Sequence, residues 1–252
     1  MTFADKLRGT RPLLGTLLSL PSPELSELLS LVGFDWLFID MEHGAISIGD
    51  AQRMLQAVKN DCSTLIRVAA NDAVLIKQAL DIGADGIIVP SVNSAREARR
   101  AVASATYPPA GKRSVGMARA HGYGLHFADY VERANRSVAV IIQIEHQRGV
   151  SKLDDILAVA GIDGVFIGPY DLSGSMNRLG DVFSPAVQEA IQSVKTACLR
   201  KGIPVGLFLQ QADGIEAELA SGTTFLTVGT DTFFVWHGAQ KVVAAFRERL
   251  AG

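Results

Sequence analysis

The sequence predicts a single (β/α)8 barrel that spans residues 1–252. Eight apolar runs of strand length recur along the 252 residues, and amphipathic stretches of helical period lie between them. The runs are almost continuously apolar instead of alternating, which is typical of parallel strands that helices cover on both faces of the sheet. Eight such strand–helix units in about 250 residues is the usual size of a (β/α)8 barrel.

The predicted elements follow one another at regular intervals. The strands are expected at residues 13–20, 35–40, 64–68, 86–90, 138–145, 163–168, 204–209 and 224–228. The clearest helical periods cover residues 48–59, 73–82, 95–104, 185–201 and 211–221. Glycines stand where a helix C-cap favours them, at Gly83, Gly161, Gly202 and Gly222. A doubly wound open sheet is the alternative, but no GxGxxG motif follows an early strand.

One segment, residues 107–136, interrupts this rhythm. It is rich in Gly and Pro at its start and then in Arg, His and Tyr. An insertion that follows a helix is expected at the end of the barrel away from the chemistry. This one is long enough to reach the site of another subunit.

Composition excludes several classes of protein. The net charge is −2, with no basic excess that would argue for a nucleic-acid partner and no acidic tail. No apolar run reaches the 18 residues of a membrane span, and the first residues do not resemble a secretory leader. Cys62 and Cys198 are far apart and lack metal-type spacing. They are expected to be reduced thiols in a cytoplasmic protein.

Two carboxylates mark the expected site. Glu145 closes the fifth apolar run, and Asp171 follows the sixth run after the Gly168-Pro169 step. The segment between them suits a loop, a helix and a return strand, so both should lie at the carboxyl ends of neighbouring parallel strands. Two carboxylates at such a short distance repel each other unless a cation lies between them. A hard divalent ion with oxygen ligands is the natural occupant.

Further candidates follow from the rule that side chains at strand carboxyl ends face the substrate of such a barrel. Asp40, Glu42 and His43 follow the second strand, and Arg67 follows the third. Asp81 lies near the end of the third helix, which leads into the fourth strand.

Each of these residues also has a structural interpretation. Asp171 could cap a helix that begins at Leu172. His43 could be a structural histidine, and Arg67 could serve only as an ion-pair partner of the carboxylates. Glu145 is harder to explain structurally, because glutamate caps helices poorly and a buried charge needs a partner.

Four motifs together resemble the HpcH/HpaI family of class II pyruvate-dependent aldolases over nearly the whole chain. They are DWLFIDMEHG, IKQALDIGADGIIVP, YPPAGKRSVG and QIE…GVFIGPYDLS. The resemblance implies a barrel of the phosphoenolpyruvate/pyruvate type. It also implies a homohexamer, built as a trimer of dimers that exchange the last helix, at about residues 231–250.

The resemblance implies a role for each candidate residue. Glu145 and Asp171 would bind Mg²⁺, Mn²⁺ or Co²⁺, with Gln143 near the metal and the pyruvyl group. Arg67 would contact the keto oxygen. His43, paired with Asp81, would move the proton of the aldehyde-derived oxygen. Asp40 and Glu42 would lie near metal-bound waters. The pyruvate carboxylate would be held by the backbone around Gly168, Pro169 and Tyr170.

Three positions depart from the family pattern. The exit of the first strand lacks the Trp of many members, Tyr170 replaces a small residue or Asn, and His146 replaces a frequent Thr. The resemblance implies that these positions line the acceptor side, so they are expected to affect which aldehyde is preferred.

The expected reaction is reversible aldol cleavage of a 4-hydroxy-2-oxo acid to pyruvate and an aldehyde. Such cleavage needs an electron sink, which a divalent metal supplies as a Lewis acid. The other aldolase strategy needs a Schiff-base lysine, and none of the eight predicted strands contains one. Two alternatives stay open: a lyase acting on citryl- or malyl-coenzyme A, and a barrel that only binds a carboxylate ligand.

Overall fold

Eight parallel strands form a closed barrel in sequence order in the computed structural model, which describes residues 1–59 and 61–251. The strands are β1 (Leu13–Leu18), β2 (Trp36–Asp40), β3 (Ser63–Arg67), β4 (Gly86–Val89), β5 (Ala139–Ile144), β6 (Gly164–Ile167), β7 (Val205–Leu209) and β8 (Phe225–Thr230). Strand β1 pairs with both β2 and β8, which closes the sheet. The predicted fold class is confirmed, and every predicted strand is present.

Helices occupy the segments between the strands. They are α1 (Phe3–Leu7), α2 (Pro23–Val32), α3 (Ile48–Ala57), α4 (Ala73–Asp81), α5 (Ala95–Ala105), α6 (Phe127–Ser137), α7 (Gln147–Ser151), α8 (Leu153–Ile156), α9 (Pro169–Ser175), α10 (Pro185–Lys201), α11 (Ile215–Ala220) and α12 (Asp231–Ala251). The four predicted cap glycines all have positive φ, for example 64° at Gly202 after α10. Helix α11 begins later than predicted, because a 3-10 turn at Ala212–Gly214 precedes it.

The short helix α1 closes the amino-terminal end of the barrel. Its Phe3 is fully buried and packs against Trp36 and Phe225 at ring-centroid distances of 5.5 and 6.5 Å. Gly15 makes room for this aromatic layer, since a Cβ at that position would lie 2.5 Å from the Trp36 ring. One end of the barrel is therefore filled, and the other end, where the strands finish, is left for a site.

The insertion, residues 107–136, packs at the same filled end. It contains a 3-10 segment at Arg119–Gly124 and then α6. Arg119 donates a hydrogen bond from Nη1 to the Ile82 carbonyl at 2.8 Å, at the end of α4. This location fits the expectation that the insertion lies away from the chemistry of its own chain.

Helix α12 leaves the barrel with much of its apolar surface uncovered. Its first residue, Asp231, is buried and accepts hydrogen bonds from Ser19 and from the Leu20 N–H, which ties the exit of β8 to that of β1. Beyond it a set of large apolar side chains is exposed, namely Phe234, Val235, Trp236, Val242, Val243, Phe246 and Leu250. Within residues 1–59 and 61–251, no helix is both long and apolar enough to cross a bilayer.

Candidate active site

A bidentate ion pair forms the base of the site at the carboxyl ends of β2 and β3. Asp40 and Arg67 are register partners in the two strands, so their side chains leave the sheet at the same level. Arg67 donates from Nε to Asp40 Oδ1 at 2.9 Å and from Nη2 to Oδ2 at 2.7 Å. The guanidinium also lies over the Phe38 ring, 5.2 Å from its centroid. Both charged side chains are buried, and two parallel bonds fix the orientation of the guanidinium.

Glu42 connects this pair to the exposed His43. Glu42 Oε2 lies 3.2 Å from Arg67 Nε and 3.8 Å from His43 Nε2. Burial raises the pKa of the Glu42 carboxyl, and the nearby Arg67 charge opposes that rise. The His43 side chain is 66% exposed, so it faces the open mouth of the barrel. The backbone N–H groups of Glu42 and His43 both donate to Asp40 Oδ1, which holds the turn after β2.

Glu145, the first residue after β5, is held at both carboxylate oxygens. Oε1 accepts hydrogen bonds from the N–H and the hydroxyl of Ser91, at 2.6 and 3.1 Å. Oε2 accepts a hydrogen bond from Gln143 Nε2. Gln143 Oε1 in turn lies 3.5 Å from Arg67 Nη1, so a continuous polar chain runs from Asp40 to Glu145.

Asp171 lies in the first turn of α9 and is exposed. The residue that caps this helix is Gly168, and Pro169 is the first helical residue, so the interpretation of Asp171 as a cap before Leu172 is wrong. Gly168 also allows a close approach between neighbouring strands, since a Cβ there would lie 2.9 Å from Glu145 Cβ and 3.1 Å from Glu145 Oε2.

Part of this polar network lines a cavity of about 430 Å³, whereas Asp40, Arg67 and Gln143 are not among its lining residues. Its lining includes four predicted site residues: Glu42, His43, Glu145 and Asp171. His146, which departs from the family pattern at a position expected on the acceptor side, also lines the cavity. The residues that sequence reasoning missed are Ser91, Asn93, Gly174 and Ser175. Ser91 and Asn93 follow β4, so the same rule about strand exits, applied to that strand, would have found them.

Tyr170 does not line this cavity. Its half-exposed side chain lines clefts beyond β7 and β8 instead, beside Phe208 and Phe233. Adjacent residues of a helix point in different directions, which explains why Tyr170 and Asp171 face different spaces. The backbone of residue 170 still lies at the start of α9.

Asp81 is not beside His43 within one chain. It is the last residue of α4, at the amino-terminal end of the barrel, and its Oδ1 accepts a hydrogen bond from Arg113 Nη2 at 2.7 Å. His43 follows the carboxyl end of β2, so the length of a strand separates the two side chains. The predicted pairing of these two residues therefore does not occur inside a single chain.

The donor set fits a hard divalent cation bound by few protein ligands. Among the described residues no group of three His, Cys, Asp or Glu side chains converges on one point. Glu145 and Asp171 nevertheless line one cavity, and Glu42 Oε2 is buried beside them without a hydrogen bond. Carboxylate oxygens are the ligands that Mg²⁺ and Mn²⁺ prefer, and Mg²⁺ usually keeps several water or substrate ligands beside one or two carboxylates.

No lysine lines the described part of this cavity. Lys195, the buried lysine, lies outside the barrel, where it contacts Glu218 and donates to the Ser221 hydroxyl at 2.8 Å. The arrangement therefore gives no support to Schiff-base chemistry at the mouth of the barrel.

Comparison with known proteins places these features in a family. The family model HpcH/HpaI aldolase/citrate lyase matches residues 14–238. The chain is 40% identical to a 4-hydroxy-2-oxo-heptane-1,7-dioate aldolase of Salmonella dublin, over 97% of this chain and 94% of that one.

Two solved structures are also similar. One is an HpcH/HpaI aldolase/citrate lyase family protein from Burkholderia cenocepacia J2315, with a TM-score of 0.94, 34% identity, and coverage of 97% of this chain and 98% of that one. The other is the citrate synthase SbnG, with a TM-score of 0.90, 26% identity, and coverage of 100% and 99%. Both similarities cover the whole barrel, and the expectation of a carbon–carbon lyase is confirmed at the level of the family. The chain belongs to the HpcH/HpaI aldolase/citrate lyase family.

Proposed function

We propose that the protein is a metal-dependent aldolase that cleaves a 4-hydroxy-2-oxo acid reversibly to pyruvate and an aldehyde. The observation that carries this proposal is the meeting of two carboxylates, Glu145 and Asp171, with the exposed imidazole of His43 in one cavity. Gln143 connects Glu145 to the guanidinium of Arg67, whose orientation is fixed by Asp40. The 40% identity to a 4-hydroxy-2-oxo-heptane-1,7-dioate aldolase supports the reaction class.

Glu145 and Asp171 would hold the divalent ion, which is Mg²⁺, Mn²⁺ or Co²⁺ in this proposal. When bound, the ion supplies a Lewis acid toward the oxygens of an α-keto acid. Gln143 donates to the Glu145 carboxylate and would hold it in place, next to the pyruvyl group. Asp40 and Glu42 would contribute two further carboxylates to the site.

Arg67 would stabilise the enolate oxygen that develops when the carbon–carbon bond breaks. A guanidinium is always charged, and the two bonds to Asp40 hold it before substrate arrives. Donors that are already aimed at the position of developing charge lower the barrier without reorganisation.

His43 would take the proton from the 4-hydroxyl group in the cleavage direction. It is exposed at the mouth and lies 3.8 Å from the Glu42 carboxylate. The partner that the family resemblance assigns to it, Asp81, lies at the opposite end of the barrel within the same chain. In this proposal the His43–Asp81 pair therefore forms between two chains of an oligomer.

The start of α9 would hold the pyruvate carboxylate. The N–H of Gly168 already donates to the Ile144 carbonyl at 3.1 Å, and Pro169 has no N–H. The Tyr170 N–H, in the first helical turn, is the remaining donor of these three residues.

We also propose a homo-oligomer, most simply a hexamer built as a trimer of dimers in which α12 packs on a neighbour. The exposed apolar side chains of α12 support this assembly, since contiguous exposed apolar surface commonly marks an interface. No nucleic-acid or membrane partner is proposed, and the proposed compartment is the cytoplasm.

A retro-aldol assay tests the function. The substrate is 4-hydroxy-2-oxo-heptane-1,7-dioate, with pyruvate measured by coupling to lactate dehydrogenase, before and after treatment with a chelator. Pyruvate formation that is lost on chelation and restored by Mg²⁺ or Mn²⁺ is expected. Activity only on a coenzyme A thioester would favour the lyase alternative, and binding of pyruvate without turnover of any aldol would favour a carboxylate-binding barrel.

A further inference from the structure

Ser91 has an unusual backbone conformation at the exit of β4. Its φ is +57°, in the left-handed region that residues with a side chain seldom adopt. Two other described non-glycine residues share this property, Tyr123 and Asn177. Such a conformation persists only where surrounding contacts hold it. One of these contacts is visible, since Asn93 donates from Nδ2 to the Ser91 carbonyl at 3.1 Å.

The conformation turns both donors of Ser91 toward one atom. The N–H lies 2.6 Å and the hydroxyl 3.1 Å from Glu145 Oε1. A carboxylate oxygen offers about two acceptor positions, so Ser91 occupies both of those on Oε1. The Glu145 side chain is buried as well, which leaves water little access to that oxygen.

The other oxygen of the same carboxylate is left partly free. Oε2 accepts one hydrogen bond, from Gln143, and so keeps one acceptor position. Oε2 also faces the exit of β6, because a Cβ at Gly168 would lie 3.1 Å from it. That exit leads directly to Asp171, the second carboxylate of the cavity.

We infer that Ser91 is a positioning residue that blocks Glu145 Oε1 and leaves Oε2 as the single atom offered to a divalent cation. This inference rests on the proposed function, in which Glu145 is a metal ligand. A carboxylate that offers one oxygen suits Mg²⁺ and Mn²⁺, which take six ligands in octahedral geometry. Ca²⁺ more readily accepts both oxygens of a carboxylate. Ser91 therefore contributes to metal selectivity as well as to affinity.

The test compares Ser91→Ala and Ser91→Gly with the parent protein. Ser91→Ala removes the hydroxyl and keeps the N–H bond, whereas Ser91→Gly removes the hydroxyl and also relieves the backbone strain. The matched control is Asn177→Gly, which relieves the same left-handed strain (φ +58°) at an exposed residue outside the cavity lining. Binding of Mn²⁺, Mg²⁺ and Ca²⁺ to metal-stripped full-length protein is measured by titration calorimetry, with no substrate present, and folding is checked by circular dichroism.

Loss of the hydroxyl is expected to raise the Mn²⁺ Kd by about 10-fold, the lower end of the effect of removing a group that supports a metal ligand. The ratio of Ca²⁺ to Mg²⁺ affinity should rise by about threefold or more in both Ser91 variants, because loss of the hydroxyl frees one of the two acceptor positions on Oε1. Asn177→Gly should bind all three ions like the parent.

Ser91→Gly protein with the parental Mn²⁺ Kd and the parental selectivity would overturn the inference, because Ser91 would then only shape the turn. In that case the parent still binds metal, and the proposed function stands. A parent protein that binds no Mn²⁺ would instead remove both the metal site and the role of Ser91.

Discussion

Arg67 and Asp40 meet as register partners of β2 and β3 and form two hydrogen bonds, at 2.9 and 2.7 Å. The pairing follows from the sheet itself, since neighbouring parallel strands end at the same level. Its consequence is a guanidinium whose plane is fixed before any substrate binds. The remaining nitrogen, Nη1, lies 3.5 Å from Gln143 Oε1.

The first prediction concerns this geometry. Arg67→Lys keeps the positive charge but cannot form two parallel bonds with Asp40. We expect turnover to fall by about 10²–10³, which corresponds to about 3–4 kcal/mol for one preorganised contact. The loss should affect exchange of the pyruvate methyl protons and carbon–carbon cleavage alike, because both pass through the same enolate. Activity within about threefold of the parent in both assays would reduce Arg67 to an ion-pair residue.

The second prediction concerns His43 and Asp81. His43→Ala should lower aldol cleavage by about 10²–10⁴, the usual contribution of a positioned base. If Asp81 acts from a second chain, Asp81→Asn should also be impaired. Unfolding and reassembling the two variants together should then restore part of the activity, because some sites receive a native His43 and a native Asp81. Mixed oligomers with no more activity than the separate variants would contradict a pair formed between chains.

The third prediction concerns assembly. Phe246 on α12 is 64% exposed, so Phe246→Glu should not disturb the fold of one chain but should disrupt packing on a neighbour. Light scattering is expected to show a hexamer for the parent and a smaller species for the variant. Lys241→Glu, an exposed polar change on the same helix, is the control and should keep the parental size. A parent protein that is monomeric at micromolar concentration would exclude the proposed oligomer.

The fourth prediction concerns the two thiols. Burial raises the pKa of Cys62 and of Cys198 to about 12, from an ordinary value of 9.0. Native protein should therefore react slowly with a thiolate-specific reagent at pH 8, and both thiols should react after denaturation. Because the folded pKa is the higher one, the stabilisation is fully present below pH 9.0. The free energy of unfolding should then fall as pH rises from 9.0 to about 12, since in that window the thiols of the unfolded chain ionise and those of the folded chain do not. Rapid reaction of Cys198 in native protein would contradict the burial.

The strands and the polar residues at their carboxyl ends were predictable from sequence because one pattern determines both. A continuous apolar run marks a buried parallel strand, and the polar residue that ends the run marks the mouth of the barrel. Glu145 and Arg67 were found in this way. The same pattern was not followed at the fourth strand, where Pro90 separates the apolar run from Ser91, and so Ser91 and Asn93 were missed.

The remaining differences arise from three-dimensional relationships that a local pattern does not contain. Sequence reasoning paired Asp81 with His43 by resemblance, but α4 ends at the opposite end of the barrel. The capping interpretation of Asp171 failed because proline is well suited to the first helical position, which moved the start of α9 back to Pro169. Tyr170 points away from the cavity because of the helical rotation between residues 170 and 171.

The most direct test of the metal-dependent chemistry is exchange of the pyruvate methyl protons in deuterated water, followed by NMR. We expect the parent protein to catalyse the exchange, to lose it after chelation and to regain it with Mg²⁺. Glu145→Gln and Asp171→Asn should fail to regain it, whereas Asp154→Asn, which alters an exposed carboxylate paired with Arg200, should behave like the parent. Exchange that continues at the parental rate in metal-stripped protein, or in either site variant, would contradict a reaction that depends on a metal held by Glu145 and Asp171.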